Sequence, residues 1–184
     1  GVEPSRVTAP IAESRKAAMV AATQFSETSA GKQYIIRFLN TGREYSATLL
    51  SYLRTQHIKN IAVFQTQLSF FQMLVDGLQD SAREEKIEVV GTVLPTDFDF
   101  KSQLLRLKNR SFEILGVYLT PPQVKQFFQH AQELNFHPRV FGSTTFESKS
   151  LLADSWKGME GAIFTHNAVT DDFRTKYQAK FGTD

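Results

Sequence analysis

Four histidines and two close carboxylates are the side chains that first invite a chemical reading. His57, His130, His137 and His166 stand far apart, with none of the HxxxH or HxH spacings that place two imidazoles on one metal. The chain has no cysteine, which excludes disulfides, thiolate nucleophiles and cysteine-based zinc sites. Asp97 and Asp99 resemble an acid–base pair. Helix capping accounts for Asp99 more simply, because a short side-chain oxygen accepts from the free amides of a first helical turn, and solvent exposure accounts for Asp97. Gly142 and Ser143 begin a strand-end turn without completing the GxSxG elbow of a serine hydrolase. Neither GxGxxG nor GxxxxGK[ST] occurs, so the glycine-rich phosphate cradle of a nucleotide-binding enzyme is missing. A phosphorylated receiver domain would place acids at its strand ends, and Phe64–Gln65 and Leu119–Thr120 offer none. The expectation is a non-catalytic binding protein with no metal and no organic cofactor.

Composition narrows the class of ligand and partner. With 184 residues the chain is long enough for one well-buried α/β domain and too short for two. The formal net charge is +2, and lysine and arginine are scattered rather than gathered into a stripe, so a nucleic-acid partner is not expected. No apolar run approaches a membrane span, and GVEPSRVTAP lacks the charged head and apolar middle of a secretory signal. The protein is therefore expected to be cytosolic or to have lost a signal.

The elements that must position any site follow a rhythm of apolar runs and amphipathic helices. The runs are IAVF (Ile61 to Phe64), KIEVVGTVL (Lys86 to Leu94), ILGVYL (Ile114 to Leu119), PRVFG (Pro138 to Gly142) and GAIFT (Gly161 to Thr165). Between them, helical stripes run from Gly42 to His57 and from Phe70 to Lys86, then after Asp99 and from Pro122 to Leu134. An element over Phe146 to Ala153 and a final helix through Phe173 and Tyr177, opened by Asp171 and Asp172, close the chain. Ahead of all these, Ser5 to Lys16 reads as a helix despite Pro10, and AAMVAA (Ala17 to Ala22) and QYIIRF (Gln33 to Phe38) read as strands. Strands alternating with helices predict a three-layer α/β sandwich with a mostly parallel sheet, including strands near Ile61, Val89, Leu115, Val140 and Ala162. Such sheets bind ligands at the carboxyl ends of their strands.

The ordered series PIAESRKAAMVAATQFSETSAGKQYIIRF, KNIAVF, DFDFKSQLLRLK, ILGVYL, QFFQHAQELNF, VFGSTTF, EGAIFT and FRTKYQAKFG resembles type I periplasmic binding proteins. Within that class it is most similar to the branched-chain amino acid receptors of ABC transporters. The resemblance implies a two-lobe clamp in which residues 1–38 are the trailing part of lobe 1, 39–165 a complete lobe 2, and 166–184 a return segment toward lobe 1. It also implies a periplasmic or extracellular location, a small-molecule ligand and an ABC permease partner, and half a clamp raises the prospect of a homodimer through the exposed cleft face. A sensing or protein-interaction domain of the same fold is the alternative.

The ligand positions that the resemblance implies are Thr23, Gln24, Gln65, Phe70, Thr120, Thr144 and His166. Thr23 and Gln24 follow the AAMVAA strand, where relatives hold a carboxylate. Phe70 occupies the aromatic position of the turn after IAVF, and Phe71 replaces a glycine. Thr144 stands where amino-acid receptors carry an acid for the ligand's ammonium, which turns the expectation toward a neutral, acidic or aromatic small ligand. Ordinary structural roles compete at several positions: Phe70 and Phe71 as core, and Ser143, Thr144 and Thr145 as turn hydroxyls bonded to nearby backbone.

Overall fold

The computed structural model describes residues 2–148 and 157–182. Its centre is a five-stranded, wholly parallel sheet of β3 (Asn60–Thr66), β4 (Lys86–Val93), β5 (Ile114–Tyr118), β6 (Val140–Gly142) and β7 (Ile163–Phe164), in the order β4-β3-β5-β6-β7. The five apolar runs thus occupy one sheet and run the same way. β3 and β5 are central, so after Asn60 both their faces are buried, which is why their sequences lose polar alternation. The outer strand β4 instead exposes Lys86, Glu88 and Thr92, and Arg110 pairs with Glu88 at this edge. Charge on an open edge discourages pairing with another chain.

Helices cover both faces. α2 (Gly42–Thr55) and α3 (Ser69–Ser81) bury Leu49, Leu53, Leu74 and Leu78 against Ile61, Val63 and Tyr118. α4 (Lys101–Lys108) and α5 (Pro121–Glu133) bury Leu104, Leu107, Val124 and Phe127 against Phe64, Leu115 and Val117. Each fully buried Leu or Phe contributes about 1.5–3 kcal/mol relative to exposure, so these two layers hold the sheet rigid at its carboxyl edge.

Local chemistry explains the helix starts. Thr41 and Glu44 form a reciprocal capping box at α2: the Glu44 amide donates to Thr41 Oγ1 (3.3 Å), and the Thr41 amide donates to Glu44 Oε2 (2.6 Å). Pro121 opens α5, as a residue without an amide hydrogen can. Asp99, the expected cap, sits one residue before the observed one: Phe100 holds the N-cap of α4, and Asp99 Oδ1 still accepts from the Lys101 amide at 3.1 Å. Asp97 Oδ2 accepts from the Leu94 amide at 2.8 Å. Both carboxylates are thus committed to backbone. The helix read from Phe70 to Lys86 ends at Ser81, and Arg83 to Glu85 turn back so that Glu85 forms a part-buried ion pair with Arg54.

The first part of the chain makes a separate small layer. α1 (Val2–Ser14) lies against a two-stranded parallel sheet of β1 (Met19–Ala21) and β2 (Ile35–Arg37), with Ala9, Ala21 and Ile35 buried between them. Pro10 lies inside α1. Glu13 ties the layer together, accepting from the amides of Gln33 and Tyr34 at 3.0 Å each, and these bonds lower its pKa. The last helix, α6 (Asp171–Phe181), is capped by Thr170, whose hydroxyl accepts from the Phe173 amide at 3.2 Å. Beyond Ser148, the element expected over Phe146 to Ala153 lies outside the described residues.

Candidate functional site

Parallel register brings the ends of β3, β5, β6 and β7 to one edge, and the turns there carry Gln65 to Phe70, Thr120, Ser143 to Thr145, and His166. Five of the seven expected positions therefore share that edge: Gln65, Phe70, Thr120, Thr144 and His166. Thr23 and Gln24 come from the separate layer.

The side chains present themselves differently. Phe70 is half-buried at the start of α3, its ring edge-on to Phe71 at 5.2 Å. Phe71 packs against Tyr118 at 6.2 Å with nearly parallel rings, and Tyr118 meets Phe141 edge-on at 5.6 Å. Burial alone raises the pKa of the Tyr118 phenol, keeping it neutral beneath the aromatic wall. Thr120 is half-buried, and its hydroxyl and amide both donate to Gln123 Oε1, at 3.0 and 3.3 Å. Gln123 then donates from Nε2 to the carbonyls of Leu94 (2.9 Å) and Asp97 (3.0 Å), pinning the β4–α4 turn beside Thr120.

Gln65 and Thr23 turn inward. Gln65 shares its side of β3 with Ile61 and Val63, so it lies under α3 with only 4% of its surface exposed. Its Nε2 donates to Gln72 Oε1 at 3.2 Å, and its buried Oε1 has no partner among the described residues. Thr23 is 1% exposed, and its hydroxyl accepts from the Phe25 amide at 3.3 Å, which is turn chemistry. Gln24 is half-exposed and lines a cleft of about 550 Å³ between the first layer and α2–α3, together with Arg6, Arg43, Asp76 and Asp80. This cleft is distinct from the cluster beside Phe70.

A polar group at the β6–β7 end was not picked out by sequence reading. The Tyr45 hydroxyl, from the first turn of α2, donates to Asn167 Oδ1 at 2.5 Å. Burial raises the Tyr45 pKa, against the lowering effect of the Asn167 bond, and the nearby Glu147 carboxylate pushes it the same way as burial. Glu147 also approaches His166, Oε1 to Nδ1 at 3.4 Å. An acid is therefore present at this edge, three residues after Thr144. The signal for Tyr45 was there in its place on the apolar stripe of α2, but nothing local marked its hydroxyl as partner to a residue 122 positions away.

The turn after β6 is tightly built. A Cβ at Gly142 would lie 2.4 Å from the Phe146 ring, so only glycine lets this aromatic fold under the strand end. The Ser143 hydroxyl accepts from the Thr145 amide at 3.3 Å and opens a short 3-10 turn. Thr144 stays half-exposed on that turn. Among the described residues, no three His, Asp or Glu side chains gather as a metal-holding group. These aromatic, hydroxyl and imidazole groups stand on the carboxyl-end turns of one parallel sheet.

Comparison with known proteins bears on the fold that carries these groups. A family model described as periplasmic binding protein matches residues 3–184. No curated protein matches. Among solved structures, a leucine binding protein LivK from Thermotoga maritima is 20% identical with a TM-score of 0.77, covering 98% of this chain and 55% of its own. A branched chain amino acid ABC transporter protein from Thermus thermophilus, solved with bound valine, is 17% identical with a TM-score of 0.77, covering 100% of this chain and 51% of its own. A solute binding protein of an ABC transporter from Rhodopseudomonas palustris, in complex with 3,4-dihydroxy benzoic acid, is 17% identical with a TM-score of 0.60, covering 97% and 53%. The chain thus spans about half the length of these structures. At such identities the likeness concerns the fold, whereas the family match runs through nearly every residue, and on that ground the chain belongs to the periplasmic binding protein family.

Proposed function

We propose that this chain supplies one ligand-catching face of a solute-binding receptor that captures a small molecule outside the cytoplasm and delivers it to an ABC permease. The carrying observation is the shared strand edge on which Phe70, Thr120, Thr144 and His166 stand on a rigid parallel sheet. Its role is binding rather than catalysis. Residues 39–165 act as the complete lobe, 1–38 as a trailing part of the opposite one, and 166–184 as the return segment.

The ligand class follows from what the edge offers. Phe70 presents a half-buried ring, and the Thr144 hydroxyl stands where an ammonium-pairing acid would be useful. Glu147 is at that edge but faces the His166 imidazole, Oε1 to Nδ1 at 3.4 Å, so its carboxylate already has a neighbour within the protein. A small aromatic or otherwise weakly polar carboxylic acid suits this set: the ring lies against Phe70, and hydroxyls and imidazole meet the carboxylate. The bound ligand of the Rhodopseudomonas palustris protein belongs to that chemical class.

Titration calorimetry tests the proposal, with the chain titrated against 3,4-dihydroxybenzoate, leucine and valine. A single face supplies about half the contacts of a closed clamp, so binding of the aromatic acid is expected at about 10 µM or weaker, and the two amino acids should give no heat. Submicromolar binding of leucine or valine would overturn both the ligand class and the half-clamp reading.

A further inference from the structure

Of the four histidines His130 alone is buried, with 8% of its surface exposed, and the binding edge does not use it. It stands where α5 meets the N-terminus of α4. Phe100, the N-cap residue of α4, makes no side-chain cap, and its amide donates to His130 Nδ1 at 3.3 Å. An accepting Nδ1 leaves the single ring proton on Nε2, 2.8 Å from the Gln126 side-chain amide, which accepts it when turned with its oxygen toward the ring. Gln123, about two turns earlier on the same face of α5, holds the other end of this connection through the Leu94 and Asp97 carbonyls. One helix therefore fastens the β4–α4 turn at both ends, by an amide that does not titrate and an imidazole that does.

We infer that His130 is a pH-sensitive latch on the β4–α4 turn. Histidine is the side chain whose charge ordinarily changes between about pH 5 and 8. A second proton enters the ring only at Nδ1, where it meets the Phe100 N–H, donor against donor. The bond is then lost and a buried amide at a helix start is left unpaired. The Phe100 ring, edge-on to His130 at 6.3 Å and to Phe64 at 5.7 Å, loses its anchor with it.

The charged groups beside this contact are Glu133 on α5 and Lys101 and Asp99 at the start of α4, with Asp97 in the turn before them. Lys101 bonds Glu133 at 2.8 Å, which lowers the carboxyl pKa and raises that of the ammonium. That pair keeps both its charges across the histidine range, so it does not release the turn itself. Loosening reaches the binding edge because Gln123 also accepts from the Thr120 hydroxyl and amide. This last consequence rests on the binding role proposed for Thr120, whereas the latch itself does not.

Amide hydrogen exchange at about pH 7.5 and about pH 5, corrected for the intrinsic rate at each pH, tests the latch. In the wild type, protection from Leu94 to Leu104 should fall about tenfold on acidification, the worth of one hydrogen bond, while β3 and β5 keep theirs. Imidazole nitrogen shifts in the same samples should show Nδ1 gaining its proton as protection falls. His130→Asn, whose carboxamide oxygen takes the place of Nδ1 without titrating, should be protected equally at both pH values. Affinity for 3,4-dihydroxybenzoate should weaken on acidification more in the wild type than in this variant; both retain His166, so its titration cancels in the comparison. Unchanged wild-type protection, a fall without protonation of Nδ1, or an equal fall in the variant would overturn the latch. A fall in protection with no difference in affinity change would overturn the coupling to Thr120. No binding of the acid at either pH would refute the proposed ligand, with the exchange result still deciding the latch.

Discussion

Gly77→Ala tests whether the carboxyl edge depends on the close approach of α2 and α3. A Cβ at Gly77 would lie 2.5 Å from the Gly42 carbonyl oxygen, 2.6 Å from its carbon and 2.9 Å from the Arg43 nitrogen. All three are backbone atoms, so no side chain can swing aside and the helices must separate. Overpacking of this kind costs about 1–3 kcal/mol. Separation also strains the bond from Ser46 Oγ to the Leu74 carbonyl, now 3.0 Å, which is worth about 0.5–1.5 kcal/mol. Alanine's helix propensity returns about 1 kcal/mol. The balance is a destabilisation of about 1–3 kcal/mol, read as a lower urea midpoint at unchanged m-value. Because the first turns of α2 and α3 carry Tyr45 and Phe70, the same variant should also weaken ligand binding. A neutral or stabilised Gly77→Ala protein would refute the helix-contact reasoning.

Further outcomes follow from individual contacts. Glu85 accepts from Arg54 Nε at 2.7 Å and Nη2 at 3.1 Å and from the Arg83 amide at 2.8 Å; the Arg54 bond chiefly lowers its pKa to about 2, against burial. A folded value below the unfolded one stabilises the protein above about pH 5.5, and the gain fades as pH falls through the folded value near 2. With Arg54 a third exposed, the pair is worth about 1–2 kcal/mol at pH 7. Urea titrations of wild type and Glu85→Gln should therefore differ at pH 7 and converge toward pH 2; a constant gap would contradict the assignment. His130 accepts the Phe100 amide on Nδ1 at 3.3 Å and contacts Gln126 at 2.8 Å, so His130→Ala leaves a buried amide unpaired and should cost about 1–3 kcal/mol by thermal or urea unfolding. Tyr45→Phe removes the tether to Asn167 and should speed amide hydrogen exchange around residues 163–168 while leaving β3 and β5 protected; unchanged exchange there would show that the tether holds nothing.

The repeating strands and helices were legible because each is dictated locally. IAVF and ILGVYL lose polar alternation since their strands are central, and the amphipathic stripes of α2, α3 and α5 each face one side of the sheet. Helix ends were less legible: the turn at Arg83 to Glu85 depends on Arg54, a residue 31 positions earlier. Strand ends with a common direction could be placed on one edge, and the structure places five expected positions there. Which of those side chains meets a ligand is a finer matter, decided by parity along a strand and by turn geometry. Gln65 has the right address and the wrong side, because two residues after Val63 it turns into the α3 layer. Glu147 has the opposite history. Read along the chain it is three residues past the position where an acid was sought, but the 3-10 turn over Thr144–Glu147 carries it back toward His166. A short helical turn at a strand end thus moves a charge along one edge without changing the strand that presents it, and linear register alone cannot reveal that displacement.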